Sequence, residues 1–382
     1  MADRVAIVAA AQTQFRPRRP EVNYAEMVLE VVEKVLDETG LELGRTIDNT
    51  VSCSHDIWDG QTISDIGITD VVGGHLGAEE KVAMDGATAV YYAAIGILSG
   101  HVDCTLCVAH TKMSQTRRNL VNNIAFDPLY TRPLGLDFTS AAALQANRYM
   151  HRYGVSERDT AKVVVQNLGN AIHNPVAFRR ESLTVDDVLS SPVVARPLKE
   201  LDIAPDADGA VALILASEKV ARGVTKTPVW VAGMGACYDA HYLGDRDLSD
   251  CFALEQAASQ AYKMAGIRDP RKQIHVIELS DEFSYQELMW LEGMGICTCG
   301  HARTLIEDGA TSLDGTLPVN PSGGLLAGVP TNVAGLNRVA EAVLQLLGKA
   351  QGYQVAHART ALAQGHTGIC GQHHCVIILK RD

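Results

Sequence analysis

Nowhere in the 382 residues does an apolar run approach the ~20 residues needed to cross a membrane. The opening stretch, Met1-Ala2-Asp3-Arg4-Val5-Ala6-Ile7-Val8, lacks the layout of a secretory signal, so a cytoplasmic location is expected. Aromatic residues are scarce, at 5%, so the core must be built from small and branched aliphatics. Positive charge is in deficit: 33 Lys and Arg against 45 Asp and Glu leave a formal charge of −12. That balance argues against nonspecific binding to nucleic acid or to an anionic membrane, while leaving room for a local basic pocket around a phosphorylated ligand. The nine cysteines are odd in number and scattered, which fits a reducing compartment rather than a disulfide framework. Cys104 and Cys107 are three apart in one apolar run, so they diverge on a strand, and no second chelating pair accompanies them. Cys297-x-Cys299 is read the same way, and no metal site is expected. No cysteine at all lies between Cys53 and Cys104.

What is present is an alternation of short apolar runs and helical patterns. Val5–Ala10 and Thr50–Ser54 read as strands. Tyr24–Thr39 reads as an amphipathic helix stopped by Gly40. Thr88–Leu98 is apolar nearly all round, which predicts a buried helix, and Cys104–Ala109 returns as a strand. Residues 116–195 are richer in arginine, with helical patterns over Ala141–Tyr153 and Glu157–Ala171. Strands are expected at Ala207–Ser217 and Thr227–Met234. The carboxy half repeats the plan: helix Cys251–Ala265, strand Ile274–Leu279, helical segments Glu287–Met294 and Asn337–Leu347, and a last strand over 374–379. Two strand–helix–strand halves suggest an internal duplication, with mainly parallel sheets covered by helices. The expected division is 1–225, with 116–195 inserted in it, and 226–382.

Several stretches taken in order resemble the thiolase superfamily, in its sterol-carrier-type and archaeal-type branch. They are Ser99-Gly100 through Lys112-Met113-Ser114, then Asn174-Pro175, Arg180 and Thr184–Leu189. Ser191-Pro192, Asp206–Ala212, Asn320-Pro321-Ser322-Gly323-Gly324 and Gly335-Leu336 complete the set. The resemblance spans the chain. It implies the five-layer αβαβα fold: two duplicated α/β halves, with a helical loop domain inserted in the first. It also implies a homodimeric core and coenzyme A with acyl-CoA as substrates. For this branch it implies a small zinc-ribbon/OB-fold partner subunit.

The family's catalytic motifs carry over incompletely. Counting back from Ser99-Gly100 puts the nucleophilic cysteine at Ala83, which cannot accept an acyl group. The motif led by His or Asn aligns with Ser280-Asp281-Glu282-Phe283, so its imidazole or amide is Ser280. Gly328-Val329-Pro330 places Val329 where the family has histidine. The last motif falls in Gly365–Gly371, with His366 or Cys370 as the counterpart. Asp85 begins the helix after Ala83 and reads either as an N-cap or as an active-site carboxylate. Asp281 reads as structural or catalytic, and Glu282 as the freer base. His366 is a candidate general acid/base. At most one of His373 and His374 can face a pocket. Arg117, Arg118, Arg179 and Arg180 fall in the segment that covers coenzyme A in the family, where guanidinium suits phosphate. Gly323, Gly324 and Gly368 are candidates for the substrate or coenzyme A site.

Three activities follow. One is thiolysis of a β-ketoacyl-CoA by direct attack of free coenzyme A, with a bulky aromatic thioester of the benzoylsuccinyl type as a candidate substrate. The second is retro-aldol cleavage of a β-hydroxyacyl-CoA. The third is a non-catalytic scaffold beside an active homologue. Both enzymatic readings predict sequential behaviour with no acyl group on the protein. Mass spectrometry after incubation with acyl-CoA should show an unmodified chain, and an acyl adduct would contradict both.

Overall fold

The computed structural model describes residues 4–382, apart from the side chains of Asn119 and Asn122. Eleven strands are present among the described residues. They are β1 (Val5–Gln12), β2 (Asn49–Cys53), β3 (Ala78–Lys81), β4 (Cys104–Lys112), β5 (Val193–Ala195), β6 (Leu198–Lys199), β7 (Asp208–Ser217), β8 (Val229–Tyr238), β9 (Val276–Leu279), β10 (Thr360–Thr367) and β11 (His373–Arg381). Nine of them form one sheet in the order β3-β2-β4-β7-β1-β8-β11-β10-β9, while β5 and β6 pair separately. The order reads as two halves reflected about the β1–β8 seam. That seam holds two antiparallel residue pairs, Ala6–Trp230 and Ile7–Val229, and is the short junction between the halves.

The expectation of mainly parallel sheets is corrected. Only β2–β3, β2–β4 and β9–β10 are parallel, and the other five pairings of the large sheet are antiparallel. The connections explain this. β10 returns as β11 through a five-residue turn, and a short hairpin forces antiparallel strands. β4 reaches β7 only through the long 113–207 insertion, which imposes no crossover geometry.

Two helices lie between the halves, Gly86–Leu98 and Ala334–Leu347, and their apolar faces meet residues of both in one continuous core. A second core covers the outer face of the first half under Tyr24–Thr39. A third covers the outer face of the second half, under Phe252–Ala265, Phe138–Tyr153, Glu157–Ala171 and Ser284–Gly293. Cys107 faces the central core and Cys104 the outer one, as their spacing predicts. The Gly86–Leu98 helix is not buried all round. Tyr92 and Ile95 are half-exposed, because that stripe opens onto a cleft beside β2 and β3 rather than onto a sheet.

Asp85 joins the two central helices. Its Oδ1 accepts from Ala87 N–H at 2.9 Å, capping the first, and its Oδ2 accepts from Gly335 N–H at 2.8 Å, in the first turn of the second. Both helix dipoles thus end on one carboxylate. Gly335 and Gly365 press against it so closely that a Cβ at either would overlap Oδ1. Of the two sequence readings of Asp85, the cap is the one realised.

Burial raises the Asp85 carboxyl to about 7 against the pull of the backbone donors. A carboxyl raised on folding adds stability in full below about pH 4 and loses it as pH rises through about 7. Asp85→Ala should cost about 2–4 kcal/mol in urea unfolding. Asp85→Asn should cost less and remove part of the fall in stability between pH 4 and 7. A loss below about 0.5 kcal/mol for Asp85→Ala would contradict this assignment.

Candidate active site

Three chain segments end at one cavity of about 70 Å³. β2 runs out into His55, β9 into Glu282, and β10 carries His366 near its end, where α/β proteins place ligands. Met84, Asn332, Thr367 and Gly368 complete the polar side. Ile57, Trp58, Val121, Ala125 and Phe138 form an apolar wall.

Glu282 is buried, and its backbone is fixed by the bond from Ala204 N–H at 2.8 Å. Its Oε1 accepts from Arg118 Nη2 at 3.0 Å. Its Oε2 has no such partner and stands 3.9 Å from His366 Nε2. That gap is too long for a hydrogen bond, and a hydroxyl set to one side of the line could reach both atoms. Burial raises the Glu282 carboxyl and Arg118 opposes the rise. Burial, helped by His373, lowers His366 to about 4, so its imidazole is neutral at physiological pH. The His366 ring sits edge-on to Trp290 at 5.6 Å, and Trp290 Nε1 in turn donates to Ser280 O at 3.0 Å.

Three buried polar atoms on the cavity's residues have no partner: His55 Nδ1, Asn332 Nδ2 and His366 Nδ1. Buried polar atoms are rarely left unpaired, so a group of them around a cavity marks a place for a ligand. Asn332 and His55 escaped sequence reasoning. Their available signals were modest: His55 follows a strand end, and Asn332 lies two residues beyond the Gly328-Val329-Pro330 motif.

The other sequence candidates lie elsewhere. Ser280 spans to β10, donating its N–H to Gln364 Oε1 at 3.0 Å and its hydroxyl to Gln364 O at 3.1 Å. Asp281 accepts from Leu325 N–H at 2.6 Å and from Asn167 Nδ2 at 2.8 Å, and burial raises its carboxyl. Gly323 and Gly324 are buried behind the site. The first abuts Ala171 and the second abuts the Asp281 carboxylate. Asp85, Ser280 and Asp281 therefore have their polar atoms committed to the scaffold, and Gly368 is the only candidate glycine on the cavity.

Ala83 is exposed and lines the cleft by β2 and β3. The neighbouring Met84 is the side chain that reaches the cavity. His373 packs at a tilt against Tyr238 with ring centroids 4.3 Å apart, His374 meets Gln364 at 3.0 Å, and neither lines the cavity. Cys370 is buried, with its thiol pushed up to about 12. Cys53, also buried, donates to Asn332 O at 3.6 Å, and burial raises its thiol well above the ordinary range. No thiolate is available at neutral pH from either.

Arg118 and Arg179 line a surface groove of about 570 Å³, which adjoins a second hollow lined by Arg117 and Arg118. Arg180 is turned away, donating to the carbonyls of Pro175 and Ala177, both at 2.6 Å. Among the described residues no group of three His, Cys, Asp or Glu side chains is arranged to hold a metal, and no helix is long and apolar enough to cross a membrane.

The two halves and their shared central helices are those of thiolases, and the chain belongs to that superfamily. Residues 5–219 match the thiolase N-terminal domain and 235–381 the thiolase C-terminal domain-like family. The acetyl-CoA acetyltransferase of Methanothermobacter thermautotrophicus is 31% identical, over 96% of this chain and 97% of that one. The benzoylsuccinyl-CoA thiolase subunit BbsB of Thauera aromatica is 32% identical, over 58% of this chain and 57% of its own. Among solved structures, the Ltp2-ChsH2(DUF35) aldolase superposes with a TM-score of 0.85 at 25% identity. That match covers 99% of this chain and 98% of the other.

The titrating groups predict the form of a pH profile. A base is lost when protonated, so activity should fall as pH drops through the raised value of Glu282. His366, neutral above about pH 4, should add no step between pH 5 and 8. Rates in Glu282→Gln should lose the acid limb, and a limb that persists there would assign it to another group.

Proposed function

We propose that this protein makes or breaks a carbon–carbon bond beside a coenzyme A thioester without an acyl-enzyme, and that retro-aldol cleavage of a β-hydroxyacyl-CoA suits the site best. The observation that carries this is the pairing of Glu282 Oε2 and His366 Nε2, 3.9 Å apart, over a cavity with no thiol in its lining. Glu282 accepts the proton of the substrate's β-hydroxyl. The Cα–Cβ bond breaks, the β-carbon leaves as an aldehyde or ketone, and the bonding pair moves into the thioester as an enolate. We assign the Asn332 amide, whose Nδ2 has no partner, to the enolate oxygen, and such donors are worth most in a dry site. A proton returned to the α-carbon completes the shorter acyl-CoA. The Ltp2-ChsH2(DUF35) aldolase supports this reading, being similar over nearly the whole chain.

Thiolysis of a β-ketoacyl-CoA by free coenzyme A is the second reading. It uses the same base on the incoming thiol and needs room for two coenzyme A molecules. The likeness to BbsB supports it, with a bulky aromatic thioester as substrate. In both readings the Arg118–Arg179 groove takes the coenzyme A. The joint name of the aldolase neighbour supports a partner subunit, for which a small zinc-ribbon/OB-fold protein on a homodimeric core is our candidate.

Product analysis separates the readings. Incubation with β-hydroxyacyl-CoA substrates should release a carbonyl compound and one thioester, with no need for added coenzyme A. Two thioesters formed from a β-ketoacyl-CoA, and only with added coenzyme A, would favour thiolysis. Glu282→Gln and His366→Ala should each lower kcat by about 10²–10⁴, and full activity of a complex with an active homologue carrying either variant would favour the scaffold reading.

A further inference from the structure

We propose that Arg118 is a positioning residue: it holds Glu282 as a carboxylate, occupies Oε1, and leaves Oε2 as the single oxygen that takes the proton. This rests on the enolate chemistry proposed above. Arg118 opens the short helix Arg118–Ile124, whose Val121, with the following Ala125, closes over the cavity. Its guanidinium donates from Nη2 to Glu282 at 3.0 Å, and from Nη1 to Ala204 O at 2.8 Å and Asp206 at 3.1 Å. One cation therefore links the base, the segment that fixes the base's backbone, and the helix that roofs the site.

The groups facing Glu282 come from several elements. Arg118 and Asp206 approach from the groove side, His366 from β10, Tyr285 from the helix that follows Glu282, and Cys370 from the β10–β11 turn. Burial keeps His366, Tyr285 and Cys370 neutral at physiological pH, and Asp206 is an anion that works against ionisation of Glu282. The cation in contact with the carboxylate is Arg118. A carboxylate taken from water without such a partner would hold its proton instead. Arg118 also lines both surface hollows, so the residue that sets the base lies where coenzyme A would enter.

The test follows exchange of the methyl protons of acetyl-CoA in D₂O by proton NMR across pD. It reports enolate formation without requiring the native substrate. Arg118→Gln should move the midpoint of the acid limb up by about 1–3 units. Because Arg118 also borders the coenzyme A groove, KM for acetyl-CoA should rise as well, so the reading is the ratio of high-pD to low-pD rates at saturating acetyl-CoA, which should increase relative to wild type. Arg118→Lys should move the midpoint back toward wild type. Asp206→Asn should move it down, which keeps the proposal testable if Arg118→Gln fails to fold. An unmoved midpoint, or a loss confined to KM, would overturn the assignment and make Arg118 a groove residue only. If Glu282→Gln exchanges as fast as wild type, or wild type does not exchange, the enolate reading fails as well, and the two failures are told apart.

Discussion

One carboxylate holds the two halves of this protein in register. Asp85 accepts backbone N–H groups from the first turns of both central helices, and Gly335 and Gly365 exist as glycines so that those turns and β10 can close on it. Everything that forms the cavity depends on that junction. Met84 precedes Asp85 directly, Asn332 lies in the Thr331–Val333 turn that leads into the second helix, and His366 follows Gly365 on β10. A shift of either helix would move three cavity residues that come from separate parts of the chain. Because the helix ends are satisfied by one buried acid, the site inherits the rigidity of the central core rather than that of its loops.

Much of the architecture was legible from periodicity. The helices at 24–39 and 157–171, the helix at 138–153 save for its first turn, and the strands at both ends of the chain follow from apolar spacing. β10 was not. Its run is interrupted by Gln364, Gly365 and His366, all buried, and a buried polar stretch carries neither the alternation of a half-exposed strand nor the continuity of an apolar one. Strand direction was likewise invisible, since it depends on how long connections travel rather than on the strands themselves.

The candidate site was half legible. Glu282, His366 and Gly368 reach the cavity as their positions implied. Asp281 and Ser280 are neighbours of Glu282 in sequence and diverge from it in space, because their polar atoms are taken up by Gln364, Leu325 and Asn167. Asn332 and His55 had no motif to mark them, and only their unpaired buried atoms reveal them. Ala83 illustrates the limit of counting along a chain. The missing thiol drew attention to it, yet Met84 is the residue that faces the chemistry. On the proposed reading the cavity serves proton transfer and enolate stabilisation, and its lining holds the thioether of Met84 and no thiol.

The most direct test of that account is an experimental structure with a non-cleavable β-hydroxyacyl-CoA analogue bound. The account predicts the coenzyme A along the Arg118–Arg179 groove, the β-hydroxyl between Glu282 Oε2 and His366 Nε2, and the thioester oxygen on the Asn332 amide. An acyl group seated instead in the cleft beside Ala83, or bonded to the protein, would contradict it.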